Sequence, residues 1–176
     1  MSGHNKWSKI KHQKGASDAQ KSKMFGKLVR FISVEAKKAK GNLASPGLAA
    51  AIKKAKESNM PNDTIDRAVK KATTDNSAQM DNITYEAYGP GGCALVIEAL
   101  TDNHNKAAQE IKHTLAKHGF ALAGIGAATW AFKRENGGWI PQTTTPISEE
   151  DGKILAEIIE ELEENDEVQD VYTNAE

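Results

Sequence analysis

Eleven Lys and Arg side chains fall within the first forty residues, opposed by two carboxylates, Asp18 and Glu35. Cations at that density suit one chemistry above others: neutralising successive phosphates of a polyanion and releasing its counterions. Lys6, Lys9, Lys11 and Lys14, with His12 among them, punctuate residues 2–15. That polar, Gly-bounded stretch reads as an extended arm with Trp7 and Ile10 as apolar anchors. Lys21, Lys23, Lys27, Arg30, Lys37 and Lys38 follow in the next segment. Trp7 is suited to stacking on an unpaired base. The plainer alternative is a solvated helix face with Trp7 folded back into a core. The shortage of interleaved acids argues against it, because a merely soluble face mixes signs. Lys53, Lys54, Lys56, Arg67, Lys70 and Lys71 extend the basic surface. The proline-containing connection at 58–62 makes a helix-turn-helix a weak reading of this stretch.

Other chemistries find little support. The histidines are His4, His12, His104, His113 and His118, and no two have the i,i+4 spacing that places two ligands on one helix face. Cys93 is the only cysteine, so no disulfide within the chain is possible, which suits a reducing compartment. Asp102, His104 and Ser148 do not resemble a catalytic triad, and no paired carboxylates stand out. Gly89-Pro90-Gly91-Gly92 lacks the Lys-Ser/Thr ending of a phosphate-binding loop and joins two strands, so it reads as a hairpin turn. No enzyme, metal site, cofactor or small-molecule substrate is expected.

The charge of −1 conceals two opposite halves: 17 Lys/Arg against 5 Asp/Glu over residues 1–74, and 6 against 19 over 75–176. The basic half is the footprint of a nucleic-acid or anionic-surface binder. Residues 149–176 hold 12 acids and Lys153, a solvated face on a last helix that would repel nucleic acid or meet a basic protein. The N-terminus has no apolar region of a secretory signal, and the longest apolar stretches, 93–97 and 127–132, are too short to span a bilayer. A cytoplasmic protein with no membrane partner is expected.

The elements that must position these charges follow from periodicity and caps. Residues 17–40 read as a helix stopped by Gly41, with Met24, Phe25, Leu28, Val29, Ile32 and Ala36 on one face and Lys23, Lys27, Arg30, Lys37 and Lys38 opposite. Ser45-Pro46 caps a second helix to about Ser58, and Pro61 restarts the chain in a third. Residues 73–81 are a polar linker. The period then changes, with strands at 83–88, 93–101, 127–133, 139–145 and 168–173 and helices opened by Asp102-Asn103 and Ser148. In the third of these strands Trp130 and Phe132 are expected on one side, and Gly137-Gly138 is read as the turn that follows. The fold class is α+β: a basic arm and three-helix domain over residues 1–78, then a ferredoxin-like βαββαβ domain with an extra N-terminal strand over 79–176.

The run from Gly3 to Lys14 (Gly3-His4-Asn5-Lys6-Trp7-Ser8-Lys9-Ile10-Lys11-His12-Gln13-Lys14) closely resembles the opening signature of the YebC/PmpR family. Asn59-Met60-Pro61, Tyr88-Gly89-Pro90-Gly91-Gly92, Leu100-Thr101-Asp102-Asn103, Lys117-His118-Gly119 and Ile140-Pro141-Gln142 are similar to later family motifs in the same order. The resemblance implies a cytoplasmic regulator of gene expression. Bacterial members are described as DNA-binding transcriptional regulators. Others, including a mitochondrial activator of cytochrome oxidase subunit translation, act at the ribosome. It also implies a helical domain followed by two small α/β domains. This chain departs at His104-Asn105-Lys106, where the family usually has more basic residues. It departs again at 133–139, which directly bridges the place where the family inserts its third domain. The expected function is a DNA-binding transcriptional regulator with duplex DNA as partner. The alternatives are a ribosome-associated translation factor on ribosomal RNA and a protein-interaction module. Oligomeric state stays open, since the opposite charges can pair within or between chains.

Overall fold

A computed structural model describes residues 18–75 and 79–176, which form two compact units meeting in sequence between Asp81 and Asn82. The first contains helices α1 (Asp18–Lys38), α2 (Pro46–Glu57) and α3 (Asn62–Thr74). Apolar residues three and four apart place Leu28, Ile32 and Ala36, Leu48, Ala51 and Ala55, and Ile65, Ala68 and Ala72 in one core, joined by Met60. Half of that core is alanine, so the helices approach closely around little apolar volume. Gly41 ends α1 as expected: at φ 78° its N–H donates to the Ala36 carbonyl at 2.9 Å. Ser45 holds the cap position of α2, but its side chain makes no capping bond. The Glu35 carboxylate lies against Gly47 instead, where a Cβ would stand 2.1 Å from Oε2. An acid beside the positive end of the helix is favourable, and only glycine leaves it room.

The second unit contains β1 (Asp81–Tyr88), β2 (Ala94–Thr101), α4 (His104–Lys117), β3 (Phe132–Glu135), β4 (Gly138–Pro141), α5 (Glu149–Glu164) and β5 (Val168–Thr173). All eight residues of β2 are buried, which explains why its sequence is apolar apart from Glu98 and Thr101. Leu95, Ile97 and Ala99 face Ile111 and Leu115 of α4 and Leu155, Ile158 and Leu162 of α5. Ala94 and Val96 pack on the opposite face with Ala128, Ala131, Phe132, Trp139 and Tyr172. Both expected caps form: Asn103 accepts from the Lys106 N–H and Ser148 from the Asp151 N–H.

The α+β class holds, and within it the sheet is assembled differently from a split βαβ. The three-stranded sheet has the order β1-β2-β5, with β2 and β5 antiparallel, and β3 and β4 form a separate antiparallel ribbon. The additional N-terminal strand takes the edge beside β2 that the ribbon would have filled. The short turn at Pro90–Gly92 makes that pairing local. The strand expected at 127–133 is also replaced. A helical turn, Thr129–Ala131, precedes β3, so Trp130 is exposed and Phe132 is buried. The turn of the ribbon is Asn136-Gly137, both at positive φ, and Gly138 already belongs to β4.

Candidate nucleic-acid interface

Of the expected phosphate contacts, Lys6, Trp7, Lys9, Lys11, His12 and Lys14 lie outside the described residues. The rest are on α1. Its helical spacing brings Lys23, Lys27, Arg30, Lys37 and Lys38 onto the face opposite the core, successive turns standing about 6 Å apart. Lys21 falls on the core-facing side, where it is exposed at the start of the helix. The row is less uniform than the sequence suggests. Lys23 and Lys38 are exposed, whereas Lys27, Arg30 and Lys37 are half-buried and Val34 between them is buried. None of those three half-buried cations is without an interaction of its own. Lys38 pairs with Glu35 at 3.1 Å.

On α2 and α3, Lys53, Lys54, Lys56, Arg67, Lys70 and Lys71 are all exposed. Lys53 reaches Glu57 at 4.0 Å and Arg67 reaches Asp63 at 3.1 Å, each one helical turn away. Pairs this exposed contribute little to stability.

Cations of the α/β unit are held differently. Lys106 reaches Glu167 at 3.3 Å, Lys117 and His118 both contact Glu161 at 2.7 and 3.2 Å, and Arg134 reaches Glu98 at 3.4 Å while lying 5.1 Å over the Trp139 ring. The Lys117 ammonium holds the Glu161 carboxyl below the usual carboxylate range. Thr101-Asp102-Asn103 builds the start of α4, and Lys117-His118 fastens its end to α5. The Cys93 thiol is buried, and burial pushes its pKa up, which leaves it unreactive. Among the described residues no three His, Cys, Asp or Glu side chains stand together as a metal-binding set. No helix among them is long and apolar enough to cross a membrane.

Two residues were missed. Glu86 lies in β1 between Tyr85 and Ala87, and it is buried. Its Oε1 accepts from the Gly126 N–H at 2.7 Å, and its Oε2 from the Ala128 and Thr129 N–H groups at 2.7 and 2.8 Å. Burial alone would raise its pKa, but the backbone donors bring it below the ordinary value. The second is Trp130, which these bonds turn outward. No local signal marks either, because the partners of Glu86 lie some forty residues along the chain.

Residues 5–75 match the family model described as the TACO1/YebC protein N-terminal domain. Residues 80–137 and 133–175 match, in two pieces, the model of the TACO1/YebC second and third domain. A probable transcriptional regulatory protein of Fervidobacterium nodosum is 47% identical over 173 residues, covering 96% of this chain and 68% of the relative. One from Petrotoga mobilis is 44% identical over 176 residues, covering 98% and 70%. One from Thermosipho africanus is 36% identical over 237 aligned positions, covering 100% of this chain and 94% of the relative. That alignment is longer than the 176-residue chain, so the relative carries residues without a counterpart here. The two-piece match places a break at the β3–β4 turn. The crystal structure of a conserved hypothetical protein from Aquifex aeolicus superposes with a TM-score of 0.82 at 29% identity, covering 97% of this chain and 96% of that one.

Proposed function

The chain belongs to the TACO1/YebC family, and on that premise we propose that it is a nucleic-acid-binding regulator of gene expression that grips phosphates through its helical unit. The observation that carries this reading is the segregation of charge. The helical unit exposes cations on all three helices, and acids are concentrated in the remainder of the chain. Lys23, Lys27, Arg30, Lys37 and Lys38, continued by Lys21 and by the arm residues Lys6, Trp7, Lys9, Lys11, His12 and Lys14, are the proposed contacts. The role is binding rather than catalysis, in the cytoplasm.

Duplex DNA is the first target, supported by relatives named probable transcriptional regulatory proteins. Structured ribosomal RNA is the second. It is favoured by the makeup of the basic face, whose lysines position a backbone without reading bases.

The test is fluorescence anisotropy with duplex DNA and with structured ribosomal RNA, side by side across a salt series. Reversing Lys27 and Arg30 to Glu is expected to abolish binding and leave the circular dichroism spectrum intact. Reversing the exposed Lys23 and Lys56 guards against misfolding and is expected to flatten the dependence on salt by about one contact per residue. Unchanged affinity in both variants overturns the basic-face assignment. Tighter binding to RNA at physiological salt transfers the role to translation. A preference for one duplex sequence by more than about tenfold (about 1.4 kcal/mol) keeps it in transcription.

A further inference from the structure

The interior of α1 holds a glycine that neither its backbone conformation nor its packing requires. Gly26 lies well inside the helix Asp18–Lys38 and is exposed. Glycine is disfavoured there relative to alanine, because it loses the most backbone freedom on folding. Elsewhere the fold accounts for its glycines: Gly41 and Gly91 hold positive φ, and Gly47 leaves room for the Glu35 carboxylate. Gly26 has neither reason. Its φ is not positive, and among the described residues no atom lies within 4 Å of the point where its Cβ would stand. A side chain at this position meets no clash. What glycine supplies instead is a bare strip of helix backbone that can be reached from outside.

The residues around the strip indicate what reaches it. Helical spacing sets Lys23 one turn before Gly26, Lys27 beside it and Arg30 one turn after it, all on one flank. Lys23, Arg30 and Lys37 continue that flank at intervals of two turns, about 10 Å apart. Lys23 is exposed, and Lys27 and Arg30 are half-buried, each with an interaction of its own. No carboxylate occurs between Asp18 and Glu35, so over that interval the helix carries cations and no acid. A single carboxylate of a protein partner is satisfied by the head of one lysine or arginine and gains nothing from a missing side chain. A sugar–phosphate chain is different. It is continuously anionic, which suits the repeated cations, and it is bulky, which demands the open strip. Close approach of another chain to the backbone is a use that glycine alone permits.

We propose that Gly26 is the seat of closest approach for the sugar–phosphate backbone of the nucleic acid bound by this protein, with Lys23, Lys27 and Arg30 holding phosphates beside it. This rests on the nucleic-acid reading above and adds a steric element to it. The cations attract any polyanion, whereas the missing side chain sets how deeply the strand docks on α1 and in which register. The seat positions the backbone and reads no base.

The experiment measures anisotropy of a labelled RNA duplex and of a labelled DNA duplex across a salt series, with the full chain, Gly26→Ala and Gly26→Leu. Neither substitution alters charge. Gly26→Ala is expected to raise the melting temperature by about 4 °C, since its methyl meets no atom and alanine favours the helix, and to weaken binding about threefold. Gly26→Leu is expected to weaken binding about tenfold or more. It should also flatten the dependence on salt by about one to three contacts, as the strand is held away from Lys23, Lys27 and Arg30. A flatter slope at constant charge is the signature of displacement, and a merely structural role does not produce it. A loss on either duplex upholds the seat, and the duplex affected identifies the sugar. Wild-type affinity and slope in Gly26→Leu overturn the seat while the basic face stands. So does a fall in the melting temperature of Gly26→Ala, which assigns the open space to the chain's own packing. Binding of a polyglutamate peptide that Gly26→Leu weakens as much as either duplex assigns the surface to an acidic protein and overturns the seat as well. Failure of wild type to bind either duplex overturns both readings.

Discussion

The two units use charged side chains for opposite purposes. In the α/β unit, beside the local pairs Lys106–Glu110 and Lys133–Glu135, ion pairs join elements far apart in sequence: Lys106 to Glu167, Lys117 and His118 to Glu161, Arg134 to Glu98. Two of its buried carboxylates, Glu86 and Glu98, are each surrounded by donors. In the helical unit, Lys38–Glu35, Lys53–Glu57 and Arg67–Asp63 each stay within one helix, and of these charges Glu35 alone also lies against the start of another helix, at Gly47. A charge that crosses between elements is part of the fold, and replacing it is a change in stability. A charge on one exposed helix leaves the fold indifferent and remains open to an external anion. The comparison teaches that the number of cations in a region says less about binding than what those cations already hold.

Variants can break that comparison. The largest stability effect is expected from Glu86→Gln. The amide keeps one oxygen for three N–H donors and turns an NH2 group toward the others, so chemical denaturation should show a loss of about 3 kcal/mol. The effect has a defined pH sense. The folded pKa of Glu86 lies below its ordinary value of 4.5, so its contribution is complete above that pH and is lost as pH falls through the folded value. Wild type and Glu86→Gln should therefore converge in acid. A constant gap down to pH 3 would mean that the charge is irrelevant and only shape matters.

Glu161→Gln comes next. It weakens the link between α4 and α5 made through Lys117 and His118, and its melting temperature should fall measurably at neutral pH. The loss should shrink as pH drops below 4.5, because the folded Glu161 pKa is also lowered. The smallest effect is expected from Arg67→Ala on α3, within about 0.5 kcal/mol. A larger loss there would show that helical-unit charges also maintain the fold, and the contrast between the units would fail. The reversals of the exposed Lys23 and Lys56 address the same contrast through affinity: binding should weaken while the melt stays in place.

Much of the architecture is legible locally. The largely apolar run of β2, interrupted only by Glu98 before Thr101, identifies a buried strand, and the caps at Asn103 and Ser148 and the stop at Gly41 fall where short-range hydrogen bonding requires them. Helical periodicity also places the cations of α1 opposite its core. The partial burial of Lys27, Arg30 and Lys37 was not legible, because a wheel orders residues around an axis without reporting what lies beside them. Trp130 and Phe132 share an expected side only if residues 127–133 are extended. The carboxylate of Glu86 curls that backbone into a helical turn and sends the two rings apart.

The sequence by itself determined the α+β class, the segregation of charge and the helical elements that carry the cations, since these depend on composition and on neighbours within about four residues. Only the tertiary structure decided the β1-β2-β5 order, the separate β3–β4 ribbon, the burial of Glu86 and the exposure of Trp130. Each of these depends on groups tens of residues apart competing for the same hydrogen bonds and the same apolar surface, a competition with no period in the chain.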